Sequence, residues 1–311
     1  MSEQMADRQT QVKTCELCPR QCHVDRIISR GYCGEKESVR VARASLHQWE
    51  EPCISGESGS GTIFFSGCPL QCVFCQNRDI SVDGKGKILN CVQLSELFLR
   101  LQEKGAQNIN LVTPTHFASQ IAIALQTAKS KGLEIPIVYN TSGYERVETL
   151  RLLAGLIDIY LPDFKYYDSQ LSGRYSNAPD YFKYTSLAIE EMVCQVGTPI
   201  FTNTKSGIQI MQRGVIVRHM VMPGHTRDSK AVIKFLHHTF GERIFISILN
   251  QYTPMPNLQN YPELNRRVTS REYNKVIDYA IYLGVENAWI QEGNTAKESF
   301  IPNFDDVGDF L

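Results

Sequence analysis

The chain has 311 residues, of which 42% are hydrophobic and 21% charged, and its formal net charge is −1 with a pI near 6.7. These values predict a soluble globular protein and disfavour nucleic acid or an anionic membrane as a partner, because both attract strongly basic proteins. No apolar run approaches the roughly 20 residues that a membrane-spanning helix requires. The polar start of the chain has no hydrophobic stretch of a secretory signal. We therefore expect a cytoplasmic protein that binds neither nucleic acid nor a membrane.

Composition changes along the chain predict three zones. Residues 1–13 are polar and predict a mobile tail. Residues 14–60 hold five of the ten cysteines and end in a run of Ser and Gly, which predicts a small cysteine-rich metal-binding module. Residues 61–311 predict the main domain. Cysteines at short spacings in a reducing cytoplasm indicate metal ligands rather than disulfides.

From residue 61 onward, short apolar runs alternate with amphipathic segments, which predicts strands alternating with helices. The predicted strands are Thr62–Ser66, Asn108–Val112, Pro136–Asn140, Ile157–Leu161, Val215–Val221, Arg243–Ile248 and Val285–Ile290. The predicted helices include 93–104, 228–240 with Asp228 as N-cap, and 269–283. This alternation indicates a parallel sheet with right-handed crossovers. We therefore predict an α/β fold, a partial (β/α)6-7 TIM-like barrel with a small N-terminal cysteine-rich metal module.

Three cysteines, Cys68, Cys72 and Cys75, directly follow the first predicted strand of the barrel. Their thiolates would bind three corners of a [4Fe–4S] cubane and leave the fourth iron free to chelate a small molecule, whereas a site of four cysteines would be closed. The alternatives are a zinc site or buried free cysteines. Structural zinc requires four protein ligands, and no fourth Cys or His lies nearby in sequence. The spacing therefore favours an open iron–sulfur cluster.

The CxxxCxxC spacing, with Phe74 before the last cysteine, resembles the radical S-adenosylmethionine superfamily. The resemblance implies that the amino and carboxylate groups of S-adenosylmethionine chelate the open iron. One electron, from a donor such as flavodoxin or ferredoxin, then produces a 5′-deoxyadenosyl radical that abstracts hydrogen from the substrate. Further segments resemble the pyruvate formate-lyase activating enzyme-like (PflX) family: TCELCPRQC, GYCGE, EEPCISG, GSGTIFFSGC, VYNTSGYE, DIYLPDFKY, VRHMVMPGH and NQYTPM.

Candidate ligands of S-adenosylmethionine follow the predicted strands, because parallel sheets bind ligands beyond the carboxyl ends of their strands. Thr113 and Thr115 stand where the superfamily often has a Gly-Gly-Glu-type stretch that contacts the methionyl amino group, and this chain lacks that glutamate. Asn140 and Ser142 suit a ribose, and a turn with a helix cap is the alternative.

Charged residues after one predicted strand and within another complete the candidate cofactor site. Asp163 and Lys165 lie on one face of an extended strand, where they either orient a carboxylate or form a structural ion pair. Arg218 is a charge in an otherwise apolar strand. Because a lone buried charge is costly, we expect Arg218 to meet either a cofactor carboxylate or Asp163.

The N-terminal module carries Cys15, Cys18, Cys22 and Cys33, enough thiolates to close a zinc site or a four-iron cluster. The segment has few core residues, so a metal is expected to replace a hydrophobic core. Structural zinc is the preferred interpretation, a second cluster is the alternative, and free thiols come third. Cys53 is an alternative to one of the four ligands.

Three functions remain open at this point. The first is an activase that installs a glycyl radical on a partner protein, with the long 166–212 segment as its docking surface. The second is a radical enzyme that modifies a small molecule or another protein side chain. The third is a non-catalytic iron–sulfur electron carrier or metal-sensing module, which the open three-cysteine loop disfavours.

Overall fold

The structure is a computed structural model that describes residues 14–204, 206–291 and 304. Its strands are β1 (Val39–His47), β2 (Ser60–Phe65), β3 (Lys87–Leu89), β4 (Ile109–Val112), β5 (Ile137–Thr141), β6 (Ile159–Pro162), β7 (Ile200–Asn203), β8 (Gln209–Met220), β9 (Phe245–Leu249) and β10 (Ala288–Ile290). Its helices are α1 (Pro52–Ser55), α2 (Arg78–Ser81), α3 (Cys91–Glu103), α4 (Ala118–Ser130), α5 (Val147–Arg151), α6 (Ser169–Ser176), α7 (Tyr181–Val196), α8 (Thr226–Phe240) and α9 (Ser270–Tyr282). In this part of the chain, no helix has both the length and the apolar composition needed to cross a membrane.

The strands form one sheet in the order β10-β9-β8-β6-β5-β4-β2-β1-β3, and β7 pairs with β8 outside that order. In this order, all neighbouring strands from β10 to β2 are parallel. β1 is antiparallel to both β2 and β3, and β7 is antiparallel to β8. Within the described residues, no pairing joins β3 to β10, so the sheet is open. The prediction of an α/β partial barrel is confirmed.

Each of the predicted strands coincides with a strand of the parallel portion, but β1, β3 and β7 were not predicted. All three pair in antiparallel fashion, and β1 is interrupted by charged residues such as Arg40 and Arg43. β1 belongs to the segment assigned to the cysteine-rich module, and it pairs with β2 on the other side of the predicted boundary at residue 60. The boundary itself stays a prediction.

Successive strand residues face opposite sides of the sheet, which separates two apolar clusters. The outer face packs against the long helices through strand residues such as Leu111, Tyr139 and Val217. The inner face holds a smaller cluster in which residues of α1 pack against the strands, namely Cys53, Ile54, Val138, Ile159, Leu161, Met211 and Ile216. Two residues beyond Val138, Leu161 and Ile216 on this inner face come Asn140, Asp163 and Arg218. The inner face therefore changes from apolar to polar toward the carboxyl ends of the strands.

The long helices begin at specific caps. Asn90 at the start of α3 and Thr269 at the start of α9 each form a capping box with the residue three positions later. The predicted N-cap of α8, Asp228, is wrong, because the helix begins at Thr226. The Asp228 carboxylate instead accepts hydrogen bonds from the backbone N–H groups of Tyr167, at 3.1 Å, and Asp168, at 2.8 Å. Asp228 thus ties α8 to the segment that precedes α6.

Candidate metal and cofactor site

The loop that follows β2 places Cys68, Cys72 and Cys75 at the carboxyl end of that strand. Gly67 has a φ of 80°, and a Cβ there would lie 2.6 Å from the carbonyl oxygen of Cys33, so only glycine fits. The N–H of Cys75 donates to the carbonyl of Cys72 at 3.1 Å, which turns the loop back on itself. Burial, reinforced by the charges of the Cys72 and Cys75 sulfurs, raises the pKa of Cys68 to about 12. The three cysteines therefore share one short loop at the carboxyl end of β2.

Each of these sulfurs accepts a hydrogen bond. The donors are Leu70 N to Cys68 Sγ at 3.4 Å, Ser176 Oγ to Cys72 Sγ at 3.0 Å, and Ser81 Oγ to Cys75 Sγ at 3.5 Å. Such donors stabilise a thiolate relative to a thiol. In the described part of the chain, no three His, Cys, Asp or Glu side chains are compact enough to share one metal ion. A cubane makes no such demand, because each thiolate binds a different iron, and the donor set fits a cluster with one open iron.

Two of the four cysteines of the N-terminal module lie near one point of its loop. Cys22 Sγ and Cys33 Sγ each lie 3.4 Å from the position that a Cβ on Gly31 would take. The charges of Cys33 and Cys15 act on Cys18, whose pKa is raised to about 12, mainly by burial. The charges of Cys15 and Cys22 also act on Cys33. No three of these four described cysteines are compact enough to share one metal ion, so the second metal stays a prediction. Cys53 lies in the inner-face cluster with α1.

The module packs directly against the cluster loop. The N–H of Cys68 donates to the carbonyl of Cys33 at 3.1 Å. The Gln71 side chain donates to the carbonyl of Tyr32 at 2.7 Å. Arg20, between two of the module's cysteines, donates from Nε to the carbonyl of Pro69 at 2.8 Å. The two cysteine groups are therefore adjacent in space.

A charge network occupies the polar part of the inner face, with Arg218 at its centre. Arg218 donates to Asp163 Oδ1 at 2.9 Å and to Asn140 Oδ1 at 2.6 Å. It also pairs with Glu50 Oε2 at 3.2 Å. Lys165 Nζ lies 2.6 Å from Asp163 Oδ2. Burial would raise the pKa of Asp163, but the charges of Arg218 and Lys165 outweigh it and lower that pKa.

Burial raises the pKa of the Cys72 thiol in the cluster loop, and the positive charge of Lys165 opposes that shift. The sequence interpretation missed the acidic members of the charge network, Glu50 and Glu51, which directly precede α1. Burial raises the pKa of both carboxyls, and Glu51 Oε2 has no hydrogen-bond partner among the described residues. Two adjacent acidic residues before Pro52 could have indicated a functional position. No sequence pattern near them, however, indicates a contact with Arg218.

The remaining cofactor candidates lie around this network in different settings. Thr113 has a φ of 59°, an outlier for a β-branched residue of the kind that clusters at functional sites, and its N–H donates to the carbonyl of Asn140 at 2.9 Å. Ser142 Oγ is buried and has no partner among the described residues. Thr115 donates its hydroxyl to Glu145 Oε1 at 2.5 Å, so that hydroxyl is already engaged.

Glu145 is a second acid that the sequence interpretation missed. It is fully buried and accepts hydrogen bonds from the hydroxyls of Thr115, Thr141 and Tyr139. Its other oxygen, Oε2, has no partner among the described residues. Burial raises the pKa of Glu145 to about 7, against the three hydroxyl donors that lower it. The carboxyl is therefore largely protonated below neutral pH.

We expect Glu145→Gln to become progressively more stable than the natural protein as pH rises. A carboxyl whose folded pKa is about 7 against an ordinary 4.5 contributes stability below pH 4.5 that is lost as pH rises to 7. The difference in free energy of unfolding between variant and natural protein should shift by about 2 kcal/mol between about pH 5 and about pH 8. Urea denaturation at both pH values measures it. Glu148→Gln, at an exposed position, is the control, and a pH-independent difference for Glu145→Gln would contradict the expectation.

The chain is similar to known proteins in both sequence and fold. A family model described as the radical SAM superfamily matches residues 62–236. An uncharacterized protein of Methanocaldococcus jannaschii is 30% identical over 275 residues, which cover 86% of this chain and 74% of that protein. A radical SAM methyltransferase of Sphaerobacter thermophilus has a similar fold, with a TM-score of 0.50, 15% identity, and coverage of 75% of this chain and 66% of that one.

Streptococcus suis SuiB, in a structure bound to S-adenosylmethionine, is a further neighbour, with a TM-score of 0.49 and 14% identity. The match covers 72% of this chain and 48% of SuiB, so this chain spans less than half of SuiB. At 15% identity, the methyltransferase structure indicates a shared fold alone.

Proposed function

Because the chain belongs to the radical SAM superfamily, we propose that it cleaves S-adenosylmethionine at a [4Fe–4S] cluster held by Cys68, Cys72 and Cys75. The superfamily implies an enzyme of radical chemistry with that cluster and that cosubstrate. The observation that carries the ligand assignment is the loop after β2, where three cysteine sulfurs within eight residues each accept a hydrogen bond. When bound, the cluster supplies the electron that cleaves S-adenosylmethionine and so initiates hydrogen abstraction from the substrate.

The protein's own polar residues then divide into two roles. Arg218 fixes Asn140 and Asp163 by direct hydrogen bonds, which makes these three positioning residues. Lys165 pairs with Asp163, and its charge opposes the burial shift of the Cys72 pKa, so we assign its ammonium group to the carboxylate of S-adenosylmethionine. Thr113 and Ser142, at the carboxyl ends of neighbouring strands, are assigned to other polar groups of the same molecule. Thr115 donates its hydroxyl hydrogen to Glu145, so we assign it to holding that carboxyl in place.

The N-terminal cysteines, we propose, hold a second metal ion, zinc, with Cys15, Cys18, Cys22 and Cys33 as its ligands. The support is the position of Cys22 Sγ and Cys33 Sγ beside Gly31. Zinc binding would draw the other two thiolates toward them, because no three of the four described cysteines form a compact group. Four thiolates complete a tetrahedral zinc site. A metal here would stabilise the loops that contact the cluster loop through the carbonyl of Cys33.

For the substrate, we propose a glycyl-radical enzyme, activated in the cytoplasm with flavodoxin or ferredoxin as electron donor. The support is the resemblance of the sequence segments to pyruvate formate-lyase activating enzyme-like proteins.

The experiment uses pyruvate formate-lyase labelled with dideuterated glycine as the partner. The reduced protein and S-adenosylmethionine should produce a glycyl radical detectable by electron paramagnetic resonance, and deuterium should appear in 5′-deoxyadenosine. Formation of 5′-deoxyadenosine without deuterium or glycyl radical would contradict the activase assignment and favour a small molecule or another protein side chain as substrate.

A further inference from the structure

The carboxyl end of α6 contacts the cluster loop at two successive residues. The carbonyl of Tyr175 accepts a hydrogen bond from the N–H of Val73 at 2.9 Å. The hydroxyl of Ser176 lies 3.0 Å from Cys72 Sγ. Ser176 is 1% exposed and Cys72 is 8% exposed, so this second contact is shielded from water. A segment that sequence interpretation assigned to partner docking thus touches a proposed cluster ligand.

The direction of the hydrogen bonds follows from counting hydrogens. A cysteine bound to iron is a thiolate and can only accept, so Ser176 must donate its single hydroxyl hydrogen to Cys72 Sγ. The Ser176 oxygen also lies 2.7 Å from the hydroxyl of Tyr166. Since the serine hydrogen is already engaged, Tyr166 is the donor in that contact. The chain of donors runs from Tyr166 through Ser176 to the sulfur.

This contact differs from those of the other two sulfurs. Ser81 Oγ lies farther from its sulfur, 3.5 Å from Cys75 Sγ, and its single hydrogen is shared with the carbonyl of Arg78 at 3.4 Å. Cys68 receives a backbone N–H at 3.4 Å. Only the Ser176 donor is itself polarised by a second hydroxyl, and Tyr166 is fully buried. Cys72 therefore accepts the shortest and best supported of the three bonds.

We propose that Tyr166 and Ser176 form a relay that raises the reduction potential of the cluster by donating to Cys72 Sγ. The inference rests on the proposed function, because it assumes a cluster at this loop. Reduction adds negative charge to the cluster and its sulfurs, so a hydrogen-bond donor stabilises the reduced form more than the oxidised form. Ser176 and Tyr166 are positioning residues, since neither contacts the reacting atoms.

The test is a redox titration of the anaerobic holoprotein, followed by electron paramagnetic resonance. The signal to follow is the one that changes on addition of S-adenosylmethionine, which identifies the cluster with the open iron. Ser176→Ala should shift its midpoint potential to a more negative value without lowering iron content. Tyr166→Phe should shift it in the same direction by a smaller amount. Ser81→Ala is the matched control and should produce the smallest shift.

A double variant separates the relay from two independent effects. The Tyr166 hydroxyl also comes near Cys72 itself. The relay requires that Tyr166 act through Ser176, so Tyr166→Phe should cause little further shift in a Ser176→Ala background. The relay is overturned if Ser176→Ala leaves the potential unchanged, if Ser81→Ala shifts it equally, or if the Tyr166→Phe shift persists in full in the double variant. If Ser176→Ala does not retain iron, the Tyr166→Phe shift alone decides. Failure of the natural protein to bind a cluster would contradict the proposed function, whereas a natural cluster with unshifted variants would contradict only the relay.

Discussion

Replacing Cys72 by serine is expected to remove the iron of the cluster loop, whereas Cys18→Ser is expected to remove zinc and leave that iron in place. Cys72 is one of three proposed ligands, and loss of a thiolate leaves the cluster with too few. Cys18 belongs to a segment with few core residues, where a structural metal contributes folding energy on the order of 10 kcal/mol. Cys18→Ser should therefore also destabilise residues 14–34, while the strands of the barrel keep their own apolar cores.

Iron and zinc analysis of the two variants measures this result, with Cys194→Ser as the control at an exposed cysteine. The control should retain both metals. Loss of equal amounts of iron from both variants would indicate that the N-terminal cysteines hold a second iron–sulfur cluster instead of zinc. Unchanged metal content in Cys18→Ser would contradict the second metal site, and full iron in Cys72→Ser would contradict the ligand assignment at the loop.

Arg218→Ala should lower the free energy of unfolding by about 3–5 kcal/mol, the range measured when one partner of a buried ion pair is removed. The side chain of Arg218 is 15% exposed, and its removal would leave the buried carboxylates of Glu50 and Asp163 without this cation. Lys165 would still pair with Asp163, but Glu50 would retain only hydrogen bonds from amide side chains. Urea denaturation gives the difference.

The matched control for this variant is Arg100→Ala. Arg100 forms a pair with Glu96 at 3.9 Å in which both side chains are about half exposed, and such surface pairs contribute about 1 kcal/mol or less. If Arg218→Ala lowers the free energy of unfolding no more than Arg100→Ala does, the network around Arg218 does not stabilise the fold as expected.

The sequence was sufficient for the parallel part of the fold because buried strands leave continuous apolar runs. β4 and β5, for example, are covered on both faces, and their runs are unmistakable. The antiparallel additions gave no such signal. β3 has three residues, two of them exposed, and β7 is mostly exposed as well. Short strands at an edge carry little hydrophobic pattern, so only tertiary pairing defines them.

The residues of the candidate site also differ in whether the sequence alone could predict them. The cluster loop could be predicted because its three cysteines are neighbours in sequence. The Asp163–Arg218 pair was one of two alternatives, because Arg218 is a charge in an apolar strand and needs an anion. Glu50 lies 168 residues from Arg218, and Ser176 lies 104 residues from Cys72. Contacts over such separations are set by the order of the strands and by the path of α6, which no local pattern encodes.

The central claim is tested most directly by measuring 5′-deoxyadenosine. The natural protein is first loaded with iron and sulfide in the absence of oxygen and then incubated with S-adenosylmethionine and a strong reductant. The products are separated by chromatography and identified by mass spectrometry. We expect 5′-deoxyadenosine and methionine to form only with reductant, and to be absent when Cys68, Cys72 and Cys75 are replaced together by alanine. Complete cluster incorporation and full reduction in the natural protein, with no 5′-deoxyadenosine, would contradict it.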